Sequence, residues 1–174
     1  KGLEIIEAHY LFGLPYSDIE AVIHPQSVVH SLVEFNDGST IAQASPPNMK
    51  GAIAYAMNWP DRLNNSTAPI DWSIPHSWSF APIDAKQFPS VDLARHCGEI
   101  GGGLPAIFNA ANEVAVAAFI SKKLEFKSIV RVIADVVADL EKDSPKTLRD
   151  LSDVSALEDD ARTRAQAHLL RLAP

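Results

Sequence analysis

The segment from Ser128 to Leu140 constrains the fold more than any other part of the chain. Ile129, Val132, Ile133, Val136, Val137 and Leu140 fall at i, i+3, i+4, i+7, i+8 and i+11. That spacing lines up branched apolar side chains along one stripe of a helix, and such a stripe must be covered. Three other segments can cover it. Residues 104–124 (LPAIFNAANEVAVAAFISKKL) read as a long helix with Pro105 in its first turn, where proline is tolerated. Residues 153–172 carry Val154, Leu157, Ala161, Ala165, Leu169 and Leu172 on one side, and Ser155 and Glu158 have capping-box spacing at the start. VDLARHCGEI is a shorter helix that stops at Gly101-Gly102-Gly103. Four helices with short connections predict a small helical bundle.

Before residue 90 the pattern is different. Residues 1–12 have helical spacing, with Leu3, Ile6, Tyr10 and Leu11 as the apolar stripe and Gly13 and Pro15 as the stop. The helix opens on Lys1 without a preceding capping side chain, so it reads as a helix cut near its own start and the chain as the C-terminal part of a longer polypeptide. Ala21, Val22 and Ile23 form a short apolar run that His24-Pro25-Gln26 interrupts. Val28 to Phe35 then alternate at period two, followed by Asn36-Asp37-Gly38 and Thr40-Ile41-Ala42, which is a hairpin signal. SPPNMK (45–50) is expected to be irregular because its prolines deny a ladder its donors. Residues 51–58 read as a short helix ending at Trp59-Pro60. A connection follows over about 63–89, and Trp72, Trp78 and Phe80 imply that it packs as it goes. The expected class is α+β: an antiparallel or mixed sheet with helices over 1–80, then an all-α bundle over 81–174.

Composition removes several functions. Fifteen Lys and Arg against twenty-two Asp and Glu give a net charge of −7, which argues against a general nucleic-acid backbone binder. No apolar run reaches the length of about 18 residues that a membrane helix needs, and no leader pattern is visible at the start. Cys97 is the only cysteine, so an internal disulfide and a multi-cysteine metal site are excluded.

Few residues carry obvious chemistry. Lys1 and Glu4 are three apart and share a helix face. They read either as a surface ion pair or as an ammonium and a carboxylate offered to an anionic ligand and its divalent cation. One carboxylate cannot hold Mg²⁺ tightly, so the rest of such a site would lie elsewhere. None of the six histidines pairs at i, i+4, which excludes a zincin helix. His24 and His30 flank the Pro25-Gln26-Ser27 corner and read as half-buried histidines at a strand entrance or as polar site lining. Ser27 lacks a nucleophile-elbow context, and the three glycines at 101–103 lack the strand and the lysine of a phosphate loop. Asn109, Asn112 and Glu113 read as interhelical hydrogen bonders. Met49, beside Pro46 and Pro47, either pads a cofactor ring or closes the hairpin core.

Four blocks in order carry a resemblance: KGLEIIEA at the start, IHPQSVVHSLVEFNDGS, AMNWPDR at 56–62 and FNAANEVAVAAF at 108–119. Together they resemble the 1-deoxy-D-xylulose 5-phosphate reductoisomerase family over the whole chain. The resemblance implies an NADPH-dependent homodimeric enzyme that needs Mg²⁺ or Mn²⁺ and is a target of fosmidomycin. It implies rearrangement and reduction of a sugar phosphate, 1-deoxy-D-xylulose 5-phosphate, to 2-C-methyl-D-erythritol 4-phosphate in non-mevalonate isoprenoid synthesis. The setting implied is the bacterial cytosol or the plastid stroma. It further implies a dimer-forming sheet within residues 1–80 and an NADPH-binding domain upstream of Lys1.

By the same resemblance Lys1 contacts substrate, and Glu4 is a metal ligand that also touches substrate. Ser27 resembles a substrate-binding position, and Pro47 and Met49 resemble positions near the nicotinamide. The family's other metal carboxylates, its phosphate-holding residues and its lid belong to upstream blocks that this chain lacks, so the chain alone is expected to be inactive. Two other readings compete: a non-catalytic dimerisation module, and a regulatory bundle that binds a partner through the 128–142 helix. The second needs the helix's apolar stripe to be exposed.

Overall fold

The computed structural model describes residues 1–172. Among them are six α-helices and two small antiparallel sheets: α1 (Gly2–Phe12), β1 (Val22–Ile23), β2 (Val29–Glu34), β3 (Thr40–Ala44), α2 (Met49–Asn58), β4 (Ala81–Pro82), α3 (Ser90–Ile100), α4 (Leu104–Ile120), α5 (Ser128–Leu140) and α6 (Leu151–Leu172). A 3-10 turn, Tyr16–Asp18, follows α1. No parallel pairing occurs among the described residues, so the sheet part is antiparallel and not mixed.

The chain forms two compact units. One is Lys1–Ala21 together with the residues from Asp84 onward; the other is Val22–Ile83. These units follow packing, not chain order. Helix α1 lies against α3, so the opening twenty-one residues join the helical unit across a long gap in sequence.

In the helical unit the α5 stripe behaves as its spacing requires. Ile129, Val132, Ile133, Val136, Val137 and Leu140 are all buried, and α4 and α6 pack on α5. The stripe is therefore no free docking face, which removes the reading of α5 as a partner-binding helix. Helix α6 starts earlier than its apolar pattern indicates. Asp150 accepts from the backbone N–H groups of Ser152 and Asp153, and Asp153 reaches back to the N–H of Arg149. This reciprocal capping occupies the orphan donors two residues before position 153, so Ser155 lies inside the helix and caps nothing.

Helix α1 buries Gly2, Ile5 and Ile6, while Tyr10 and Leu11 of its expected stripe are exposed. Gly13, left-handed at φ 66°, ends the helix and turns the chain back toward α3. Tyr16 then lies buried, its ring stacked on His9 at 4.3 Å. Arg95 of α3 donates to the carbonyls of Tyr16 and Ile19.

The second unit is built around the hairpin β2–β3, in which Val33 faces Ile41 and Leu32 faces Ala42. Gly38, at φ 82°, supplies the left-handed residue that its three-residue loop demands. The register breaks between Val29 and Ser31, and His30 stands in that irregularity with its Nε2 bonded to the Ser45 carbonyl at 3.0 Å. The short strand β4 pairs with β1 and gives the 61–89 segment an anchor that its composition did not reveal. Helix α2 reaches back to Met49 because Asn48 accepts from the Lys50 N–H, so the SPPNMK segment is irregular only as far as Asn48. None of the residues from Val22 to Ile83 has a buried side chain.

Candidate functional site

On the helical unit, the first turn of α1 leaves Lys1 and Glu4 exposed while Gly2 and Ile5 are buried, and Glu4 lies across the helix from Gly2. Lys1 Nζ donates to Glu4 Oε1 at 3.2 Å. Partial burial pushes the Glu4 carboxyl up, but hydrogen bonds from its own backbone N–H and from the Lys1 side-chain ammonium pull it below the ordinary carboxylate value. Glu4 is thus an ionised carboxylate, and its side chain is 53% exposed. Both oxygens are hard donors open to a cation, and an exposed pair of this kind binds weakly on its own.

Among the described residues no cluster of three or more His, Cys, Asp or Glu could hold a metal ion. Glu4 therefore fits Mg²⁺ or Mn²⁺ as one oxygen donor among several, the others coming from outside these residues or from a ligand.

On the other unit, the His24-Pro25-Gln26-Ser27 corner is held in place by Ser79. The Gln26 amide oxygen accepts from the Ser79 N–H at 3.2 Å, and its amide nitrogen donates to the Ser79 hydroxyl at 3.1 Å. His24 Nδ1 lies 2.9 Å from the Ser79 carbonyl and its ring stacks on Phe80 at 4.5 Å. A carbonyl only accepts, so Nδ1 carries the proton and Nε2 is left as an acceptor, buried and without a partner in the protein. Ser27 follows with φ 51°, a left-handed conformation that costs a non-glycine residue about 1–2 kcal/mol. Its side chain is exposed. Pro47 is exposed, and Met49, the first residue of α2, is 70% exposed, so it closes no hairpin core.

The sequence-derived candidates thus fall into two sets: Lys1 and Glu4 on the first unit, Ser27, Pro47 and Met49 on the second. Spacing along the chain missed Ser79 and Arg95. Each acts on residues more than fifty positions away, and no local pattern reports that. Of the three residues expected to bond between helices, Glu113 does so, pairing with Arg162 of α6, whereas Asn109 donates to Glu113 one turn on within α4. Cys97 is buried, and burial with the nearby Glu141 pushes its thiol up to about 12, which removes it as a nucleophile.

Comparison with known proteins brings these observations together. Residues 44–164 match the family described as the DXP reductoisomerase C-terminal domain. A 1-deoxy-D-xylulose 5-phosphate reductoisomerase of Mycobacterium marinum is 50% identical over 176 aligned positions, covering 100% of this chain and 43% of the relative. That of Nocardia farcinica is 52% identical over 153 positions, covering 87% of this chain and 39% of its own. The chain therefore spans about two-fifths of the length of these relatives. Among solved structures, the Zymomonas mobilis reductoisomerase in complex with NADPH superposes with a TM-score of 0.86 at 39% identity, over 97% of this chain and 44% of that one. A DOX-P reductoisomerase in complex with NADPH, fosmidomycin and magnesium superposes at 0.91 with 36% identity, over 98% of this chain and 43% of that one. A matched stretch of well over half the residues, with the same fold from end to end, settles the relationship: the chain belongs to the DXP reductoisomerase C-terminal domain family.

Proposed function

We propose that this chain is the C-terminal portion of a metal- and NADPH-dependent reductoisomerase that converts 1-deoxy-D-xylulose 5-phosphate to 2-C-methyl-D-erythritol 4-phosphate. In this reading residues 1–80 complete the catalytic domain, residues 81–174 form the helical domain, and the NADPH-binding domain precedes Lys1. The observation that carries it is the Lys1–Glu4 pair: an ammonium and an ionised carboxylate on the open face of a helix whose other face is buried. A rigidly held helix can present both charges to one bound molecule at fixed separation. Mg²⁺ or Mn²⁺, when bound, polarises the substrate's hydroxyl and keto oxygens for the carbon-skeleton rearrangement that precedes hydride transfer from NADPH.

Glu4 contributes one carboxylate to holding that ion, and Lys1 orients the substrate oxygens beside it. Ser27, on its strained and well-supported corner, supplies a hydroxyl toward substrate. Pro47 and Met49 offer an apolar surface suited to the nicotinamide ring. The missing carboxylates and cofactor contacts make the 174-residue chain inactive by itself. The second subunit is another copy of the same protein. Supporting this, Val33 and Ile41 pair on the hairpin yet are 56% and 63% exposed, and the whole Val22–Ile83 unit lacks a buried side chain. A unit of that size needs further cover to be stable. The described residues include no helix long and apolar enough to cross a membrane, and the relatives named above are bacterial, which fits a place in the bacterial cytoplasm.

Glu4→Gln in the complete enzyme tests the reading. It keeps the size of the side chain and removes its charge. Turnover is expected to fall by orders of magnitude, and the metal concentration for half-maximal rate to rise. A near-normal rate with unchanged metal dependence would overturn the role given to Glu4.

A further inference from the structure

We infer that Gly2 is a positioning residue: its lack of a side chain lets α1 lie close enough to α3 to set where Lys1 and Glu4 stand. The inference rests on the reading of Glu4 as a metal ligand. A Cβ at Gly2 would lie 2.6 Å from Ala94 Cβ, 3.0 Å from the Ser90 carbonyl oxygen and 3.5 Å from Phe108 Cζ. Ordinary contact begins at 3.4 Å, so the two methyl carbons would have to part by about 0.8 Å.

Conformation does not explain the glycine. Gly2 is not among the glycines at positive φ, and an alanine would favour the helix. What remains is the close approach to Ala94. Gly98 stands one turn further along α3, and there a Cβ would run into the hydroxyl end of Tyr16. Small residues at both places let the α1 segment settle on α3 at each end, and Arg95 fastens the far end through the carbonyls of Tyr16 and Ile19.

Positions 2 and 4 lie on opposite sides of a helix. A methyl at position 2 therefore pushes the first turn away from α3, toward the side where Glu4 projects. Because the far end is fastened, the displacement is concentrated in the turn that carries it. Displacement of a ligand by the better part of an ångström degrades a metal site without removing any donor.

The test uses the complete enzyme and Mn²⁺ alone, with free ion counted by electron paramagnetic resonance. Gly2→Ala is expected to weaken Mn²⁺ binding about tenfold, the low end for residues that support metal ligands. The KM for NADPH should stay near that of the parent. The exchange variant Gly2→Ala with Ala94→Gly moves the methyl from one helix to the other and should restore binding to within about threefold; the Ser90 carbonyl keeps the relief incomplete. Should Gly2→Ala alone not fold, the exchange variant decides. Parental binding by Gly2→Ala, or a folded exchange variant still tenfold weak, overturns the inference. Glu4→Gln runs alongside: if it binds Mn²⁺ like the parent, the reading of Glu4 has failed, which is a separate result.

Discussion

Replacing Ile133 with alanine tests whether the α5 stripe is the seam that holds the helical unit together. Ile133 is 2% exposed. The change deletes three side-chain carbons, a loss of about 2.4 kcal/mol at about 0.8 kcal/mol for each buried group. A residual cavity of up to about 60 Å³ adds up to about 1.5 kcal/mol at about 24 cal/mol per Å³. The expected cost is then about 2.5–4 kcal/mol. In a multidomain enzyme global unfolding is not one transition, so the measurement is native-state amide hydrogen exchange in α4, α5 and α6. At about 1.4 kcal/mol per tenfold, the slowest amides there should exchange on the order of a hundred- to a thousandfold faster. The control is Ile120→Ala at the end of α4, where the side chain is 71% exposed and the expected change is below about 0.5 kcal/mol. If the two variants accelerate exchange equally, the seam lies elsewhere and the packing argument fails.

Two further outcomes are expected. The Arg149 guanidinium beside Asp153, together with the Arg149 N–H, holds the Asp153 carboxyl at about 2 against an ordinary 3.8. A depressed carboxylate stabilises the folded state above its unfolded value and loses that contribution as pH falls through its folded value. The stability deficit of Asp153→Asn should therefore be full above about pH 4, shrink between 3.8 and 2 and vanish below; a pH-independent deficit in acid titrations followed by circular dichroism would contradict this. Ile41→Asp places a charge on the exposed hairpin face opposite Val33. Sedimentation of the complete enzyme should register a shift from the proposed dimer toward monomer, and no shift would argue that this face is not the subunit contact.

Periodicity made the elements with strong, local patterns legible. All six stripe residues of α5 are buried, and the alternation from Val28 to Phe35 around an Asp-Gly loop is the β2–β3 hairpin. Misreadings cluster where a distant group decides. Tyr10 and Leu11 look like core on a helical wheel, but α3 contacts the side of α1 that carries Gly2, Ile5 and Ile6. The two-residue ladder between β1 and β4 leaves no periodic trace, since it depends on residues more than fifty positions apart. The starts of α2 and α6 were displaced because Asn48 and Asp150 act as caps from outside the apolar pattern. At the site, the i, i+3 spacing of Lys1 and Glu4 was legible as a shared face, whereas its chemical meaning came from the resemblance. Ser27's left-handed backbone and the bonds from Ser79 to the preceding His24 and Gln26 were invisible, because a serine after Pro-Gln carries no signature of φ 51°.

The packing of α1 also changes what the helical unit is for. An eleven-residue helix is marginal in water, because nucleation costs more than so few hydrogen bonds return. Here its persistence depends on Ile5 and Ile6 being buried with Gly2 on the side facing α3. Helix α3 in turn is held by α4, and α4 by α5 and α6. The proposed metal ligand therefore stands on a platform whose residues come from the other end of the chain. Loops can carry catalytic groups, but a charged pair that must meet both an ion and a substrate within about half an ångström is better placed on a packed helix. In this architecture the C-terminal helices are the support that gives Glu4 and Lys1 a fixed address. A disturbance in the bundle should accordingly be felt first as weakened metal binding, at substitutions too mild to unfold the domain.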